Sequence, residues 1–264
     1  MRNTLALYWR FIQLSMRAQL QYRASFIMLT LGSFIGIGVE FLGVLALFDR
    51  FGTLRGWTLA EVALFYGVIH ASFAVAEASA RGFDVFPAMV KSGDFDRVLL
   101  RPRTTTFQIA AKEMQLMRVG RLSIGAIALF WAVRSLAGLR SPLALLLIAE
   151  TLAGAVCLFF GLFVVQGAMS FWTVETLELM NVLTYGGTET AQYPLAIFTA
   201  GFRRFFTWVV PFGLISYVPL SAALGRTSIA SPLPWLAPIG GPVALAVAMR
   251  FWEYGVSRYR STGS

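Results

Sequence analysis

Long apolar runs separated by short charged stretches define the pattern of this chain. Residues 24–48 hold a single ionisable group, Glu40, and residues 57–80 hold Glu61, His70 and Glu77. Residues 119–139 keep Arg121 and Arg134 near their ends, where long side chains can reach an interface. Residues 142–174 carry one charge, Glu150, and residues 205–225 carry none but include Pro211 and Pro219. A last run starts after Pro232, among closely spaced prolines, and ends near Arg250. Each run approaches or exceeds the roughly 20 residues that one bilayer crossing requires, so six transmembrane helices are predicted. Ahead of them, Leu5, Tyr8, Trp9, Ile12, Met16 and Leu20 form one stripe, with Arg10 and Arg17 on another face. That spacing predicts an amphipathic interfacial helix over residues 4–22.

Composition supports the same class. Hydrophobic residues make up 57% of the 264 and charged residues only 13%, with mean hydropathy +0.69. Soluble domains carry about a quarter charged residues, so a water-covered surface is not available. The fold expected is an all-α integral membrane protein, a single transmembrane domain over residues 1–264. Net charge is +9, which in a soluble protein suggests nucleic acid. In a membrane protein it reads as the bias of Lys and Arg toward cytoplasmic loops, and no nucleic-acid partner is expected. With both termini inside, seventeen basic residues fall on the inner side and five on the outer. Arg203 and Arg204 count among the inner ones. The split predicts an N-in, C-in protein of the inner (cytoplasmic) membrane.

Chemistry is scarce. Cys157 is the lone cysteine and His70 the lone histidine, so neither an intrachain disulfide nor a metal cluster is expected. No Gly-Lys pair occurs, which removes a Walker-type phosphate loop. No hydrolase or zinc motif is present, and the N-terminus lacks the pattern of a cleaved signal. The chain is expected not to be an enzyme and to hold no cofactor. A transport component, a membrane scaffold or assembly subunit, and a channel remain, the channel disfavoured because no span has regularly spaced polar residues.

Residues 83–108, between the second and third spans, are too charged to span and too apolar for a solvated linker. Phe95, Val98, Leu99 and Leu100 sit there beside a Ser-Gly-Asp turn and an Arg-Pro pair that breaks a helix. A cytoplasmic partner covering this segment is the physical expectation.

The stretch SGDFDRVLLRPRTTTFQ resembles the coupling loop of the ABC type-2 permease superfamily, through Gly93, Leu99, Leu100, Arg101, Pro102 and Gln108. Two further blocks agree: Tyr193, Pro194, Pro211, Tyr217 and Pro219, then Trp252, Gly255, Tyr259, Ser261 and Gly263 near the end. The resemblance implies the permease subunit of an ATP-driven exporter. It implies pairing with a second permease, as a homodimer or heterodimer, and docking of separate ATPase chains that bind ATP and Mg. Lys91, Asp94, Asp96, Arg97, Leu99, Leu100, Arg101, Pro102 and Arg103 would then couple to the ATPase, and residues 4–22 would be an elbow helix.

Ionisable groups inside spans are functional candidates by default. Glu40, His70, Glu77 and Glu150 qualify as lining of a substrate cavity. Glu40 and Glu150 lie at matched depth from the outer ends of their spans, which suggests an amphiphilic, cationic substrate. The competing role for each is a polar contact between helices, and for His70 with Glu77 this is the favoured one. Phe159, Phe160, Phe163, Phe171 and Trp172 offer stacking surfaces. Glu175 and Glu178 suit a solvated face or a second ATPase contact. Pro211 and Pro219 each remove a helix hydrogen bond and mark bending points.

Overall fold

A computed structural model describes residues 2–173 and 177–260. The side chains of Leu5, Tyr8 and Glu178, together with Val174, Glu175, Ser261 and Gly263, lie outside what it describes. Thirteen α-helices are described: α1 (Arg2–Gln21), α2 (Arg23–Phe51), α3 (Leu59–Asp84), α4 (Phe86–Ser92), α5 (Phe95–Leu99), α6 (Thr105–Ala110), α7 (Val119–Ser135), α8 (Pro142–Met169), α9 (Leu177–Ala191), α10 (Ala200–Trp208), α11 (Val218–Ala223), α12 (Leu233–Leu236) and α13 (Gly240–Arg258). The β pairing among the described residues is one isolated bridge, Leu54 to Trp57.

Local chemistry sets the helix limits. Thr58 and Glu61 form a reciprocal capping box at the start of α3: the Glu61 N–H donates to Thr58 Oγ1, and the Thr58 N–H donates to Glu61 Oε2 at 2.8 Å. Ser141 accepts from the Ala144 N–H to start α8, with Pro142 in its first turn. Gly93 closes α4 in the left-handed region at φ 75°.

α3 is the central helix, packed between α7 and α8, with α13 on the far side of α8 and α2 against α7. Two close approaches hold this array. A Cβ on Gly67 would lie 2.5 Å from the Leu129 nitrogen, and one on Gly125 would lie 2.6 Å from the Ala71 nitrogen, so α3 and α7 meet backbone to backbone. At the other contact, a Cβ on Gly241 would strike the Gly154 carbonyl of α8. Small residues that let helices touch are the membrane substitute for a hydrophobic driving force.

Five helices are long and apolar enough to span a membrane, and a bent pair supplies a sixth candidate. These agree with the expected spans except in the fifth. Residues 205–225 do not form one kinked helix: α10 and the Gly213–Ala223 helix meet at 89° across a break. Pro211 lies in that break, and Pro219 follows a π-turn over Gly213–Tyr217 that widens the helix where the proline removes a donor.

Packing fixes relative directions. Gly154, Gly161 and Phe171 face Gly241, Leu245 and Gly255 in that order, so α8 and α13 run parallel. The end of α13 therefore lies with α4 to α6, and α1 is held beside them through residues 114–116; this is here the terminal end, and the 52–58 and 225–232 loops mark the far end. α9 runs antiparallel to α3, since Tyr185 pairs with Glu77 and Gln192 with His70. It carries the chain from the terminal end to the middle of α3 before Arg203 and Arg204 are reached. Arg203 and Arg204 thus follow a helix that leaves the terminal end, which the reading of residues 175–204 as an inner connection did not include.

Candidate functional site

Two regions bear on function. The first is at the terminal end. Phe86, Phe95, Phe171 and Trp252 pack edge-to-face or tilted with centroids 4.7 to 6.4 Å apart, and Tyr259 packs on Phe95 at 5.0 Å. Trp252 is fully buried, and its indole N–H donates to Thr105 Oγ1 at 3.0 Å. A Cβ on Gly255 would strike the Phe171 ring, which explains glycine there. This hub ties α13 to α4, α5 and α6. The 83–108 segment accordingly folds onto its own helices along its apolar side.

Its tip stays free of that core. Leu100 is 86% exposed, Leu99 42%, and Arg101, Pro102 and Arg103 are exposed beside them. Gln108 clamps the tip by donating from its amide to the carbonyls of Val98 and Arg103. Arg97 is held by Asp94 at 2.8 Å, and Ser92 donates to the same carboxylate. The turn is thus a defined shape presenting leucine and arginine outward. Beside it, a groove of about 530 Å³ opens between Leu7 and Phe11 of α1 and Arg97, Arg101 and Phe107 of the segment. α1 is a continuous helix, as its periodicity predicts. It is fixed to the bundle through Ser15, which donates to the Met114 carbonyl at 3.2 Å, and Gln19, which accepts from the Leu116 N–H at 3.0 Å. Trp9, Leu14 and Leu20 remain exposed along it.

The second region is polar and lies at mid-height. His70 is fully buried eleven residues into α3, roughly 16 Å from its start. Its Nε2 is 2.7 Å from Gln192 Oε1 and 3.7 Å from Glu40 Oε1. Gln192 in turn donates to Glu189 Oε2 at 2.7 Å, and Glu189 lies near enough to Glu40 for the two carboxylates to interact electrostatically. Tyr66 stacks on the His70 ring at 4.0 Å and donates to the Ile37 carbonyl of α2. Arg121 of α7 acts electrostatically on His70, Tyr66 and Glu189 while its guanidinium lies over Phe73 at 4.8 Å.

The four expected cavity residues therefore separate. Glu40 and His70 meet. Glu77 lies lower on α3, between Arg118 at 3.0 Å and the Tyr185 hydroxyl at 2.8 Å. Both His70 and Glu77 contact residues on or just after α9. Glu150 stands apart on α8, half-buried, without an ion pair or hydrogen bond among the described residues, and α3 stands between it and Glu40. Matched depth did not make a pair. Glu189 is the acid that Glu40 meets. It was missed because α9, with Thr184, Thr188, Glu189 and Thr190, is too polar to read as membrane-embedded. The Glu-x-x-Gln spacing of Glu189 and Gln192 was the available signal, since it puts both on one helix face.

At the far end, Arg226 makes a two-point contact with Glu61 at 2.7 and 2.8 Å, donates to the Gly56 carbonyl and lies 3.8 Å over Trp57. Its hydrogen bonds to Glu61 hold the guanidinium above its ordinary pKa.

A family profile described as ABC-2 family transporter protein matches residues 34–263. No curated protein and no solved structure matches the chain. The matched region takes in the greater part of α2, the other long apolar helices, the exposed leucine-arginine turn and the aromatic hub behind it. The chain therefore belongs to the ABC-2 family of transporter proteins, as a multi-pass membrane component.

Proposed function

We propose that this chain is the permease subunit of an ATP-driven exporter of the cytoplasmic membrane, moving an amphiphilic small molecule outward. ATP and Mg would be bound by a separate ATPase subunit docked at the terminal end. The observation that carries this is the clamped turn at residues 97–103, where Leu99 and Leu100 face outward between arginines. Apolar side chains that a fold holds in the open mark a partner surface. Lys91, Asp96, Arg101 and Arg103 would supply charged rim contacts, and the hub behind the turn would carry ATPase movement into α3 and α13. A second permease copy or relative would cover part of the apolar surface of α2, of which only 11% of the most apolar window is buried.

The orientation proposed remains N-in and C-in. With Arg203 and Arg204 moved, the basic split becomes fifteen to seven, which still favours the terminal end as cytoplasmic. Thr53→Cys, Ser141→Cys and Arg203→Cys should react with impermeant reagents from outside, and Ser92→Cys only after permeabilisation. The reverse pattern would remove the basis for ATPase docking. Co-purification with an ATPase chain, lost on Arg101→Glu or Leu100→Asp without loss of the folded permease, tests the coupling role. An intact complex with normal transport in both variants would refute it.

A further inference from the structure

We propose that the groove between α1 and residues 89–112 binds one anionic phospholipid of the surrounding leaflet, with its phosphate on Arg101 and Lys112 and its chains against Phe11 and Phe107. The volume of about 530 Å³ is that of a small-ligand site, enough for a glycerophosphate headgroup and the first methylenes of its chains. Two chemistries meet in the wall. Leu7, Phe11, Met89 and Phe107 are apolar, whereas Arg97, Arg101, Arg103 and Lys112 are basic, against the single acid Asp94.

Charge selects the headgroup. Asp94 is already held by Arg97 at 2.8 Å and accepts from Ser92. Arg101 and Lys112 are exposed, and neither has an acidic partner among the described residues. An arginine fork and a lysine ammonium at the mouth of an apolar groove match phosphate oxygens above acyl chains. Basic pockets at the membrane surface take anionic headgroups for this reason. Gln108 keeps the rim in shape, since its amide donates to the Val98 and Arg103 carbonyls on either side of Arg101.

Position selects a lipid over a soluble phosphate. α1 leads through Tyr22 into α2, the first long apolar helix, so the groove stands where the chain enters the bilayer. Trp9 and Leu14 stay 58% and 61% exposed on the same helix, as suits a helix bedded among headgroups. A second groove along α1, of about 380 Å³ between Tyr22, Phe26, Leu29 and Met117, has no charged residue in its wall. It admits hydrocarbon without choosing a headgroup, so the selection belongs to the basic groove. Leu99 and Leu100, the outward-facing pair proposed for the ATPase, do not line that groove. Lipid and ATPase therefore occupy separate faces of the turn.

Lipid binding is a property of this chain alone and does not depend on the exporter reading. The purified full chain in mild detergent would be titrated with phosphatidylglycerol and with phosphatidylcholine of identical chains, and bound lipid counted by native mass spectrometry. One phosphatidylglycerol should be retained about tenfold more tightly than phosphatidylcholine. Lys112→Glu, checked for an unchanged thermal midpoint, should lower that affinity about fivefold or more, and Lys112→Gln should lower it by less. Arg17→Glu makes the same charge change on α1 outside the groove and should leave the affinity intact. Equal retention of the two lipids, or equal losses in Arg17→Glu and Lys112→Glu, would overturn the site. Soluble glycerol phosphate at matched concentration should not displace the lipid; displacement would move the site to a soluble phosphate ester and overturn the lipid assignment. A co-purifying ATPase, added back, should leave the lipid bound, and displacement would give the groove to the ATPase instead. If the lipid preference holds but no ATPase binds, the exporter reading fails and the site stands.

Discussion

The aromatic hub at the terminal end and the polar seam between α3 and α9 are held by opposite physics. Around Trp252, rings fill space and the indole N–H finds Thr105, so the region has little freedom to rearrange without losing contact. Along α9, a ladder of single hydrogen bonds (Tyr185 with Glu77, Gln192 with His70) joins two helices through polar groups. A close-packed hub transmits displacement because interiors are nearly incompressible. A hydrogen-bonded seam holds polar groups in pairs. The two properties are located in different parts of the molecule, so movement at the proposed docking end would leave the polar contacts at mid-height in place.

Breaking the hub should have the largest effect. Trp252→Ala should cost about 3–5 kcal/mol through the cavity it leaves, seen as a lower thermal midpoint, while Trp252→Phe should retain most of the stability. Equal stability of wild type and Trp252→Ala would contradict the packing account. Next comes the lower rung of the seam. Glu77→Leu strands Arg118, which is only 18% exposed, and should cost about 3 kcal/mol; Glu77→Gln, which preserves an acceptor for Tyr185, should cost less. Equal losses would mean that the acceptor for Tyr185 adds nothing beyond the charge pair.

Smaller effects sharpen the contrast. Arg226→Ala at the far end removes a partly exposed ion pair and should cost about 1 kcal/mol or less, with the permease still folded by size-exclusion chromatography. Glu150→Leu should change stability by no more than about 0.5 kcal/mol. A large loss of stability in Glu150→Leu would restore the pairing of Glu40 with Glu150 that depth alone suggested.

The spans over 24–48 and 57–80, and the third up to Ser135, read correctly as helices because lipid-facing or tightly packed spans must be apolar at almost every position. α9 escaped that reading for a physical reason: a helix whose polar groups meet partners on α3 does not need to be apolar. Treating it as a cytoplasmic connection pushed the fifth span onto residues 205–225 and misplaced Arg203 and Arg204. The prolines were legible as breaks, but not the 89° bend, which depends on how Phe206 and Phe212 pack. Glu40 was legible as a functional candidate since a lone acid in an apolar run is costly. Its partner was not, because partnership between α2 and α9 is a property of packing rather than of sequence distance. The exposed turn was legible from Leu99, Leu100 and Arg101, whereas the hub behind it, assembled from residues 86 to 259, was not.

The claim on which the rest depends is that the turn at residues 97–103 meets an ATPase. A cysteine introduced at Leu100, in a chain whose Cys157 is replaced by serine, places a single thiol at the most exposed point of the turn. Membranes holding the permease and its ATPase would be treated with a short bifunctional thiol reagent and the products separated by mass. The account predicts a permease–ATPase conjugate from Leu100→Cys and none from a cysteine at Thr53. Conjugation at Thr53 with none at Leu100, while the ATPase still co-purifies, would contradict it.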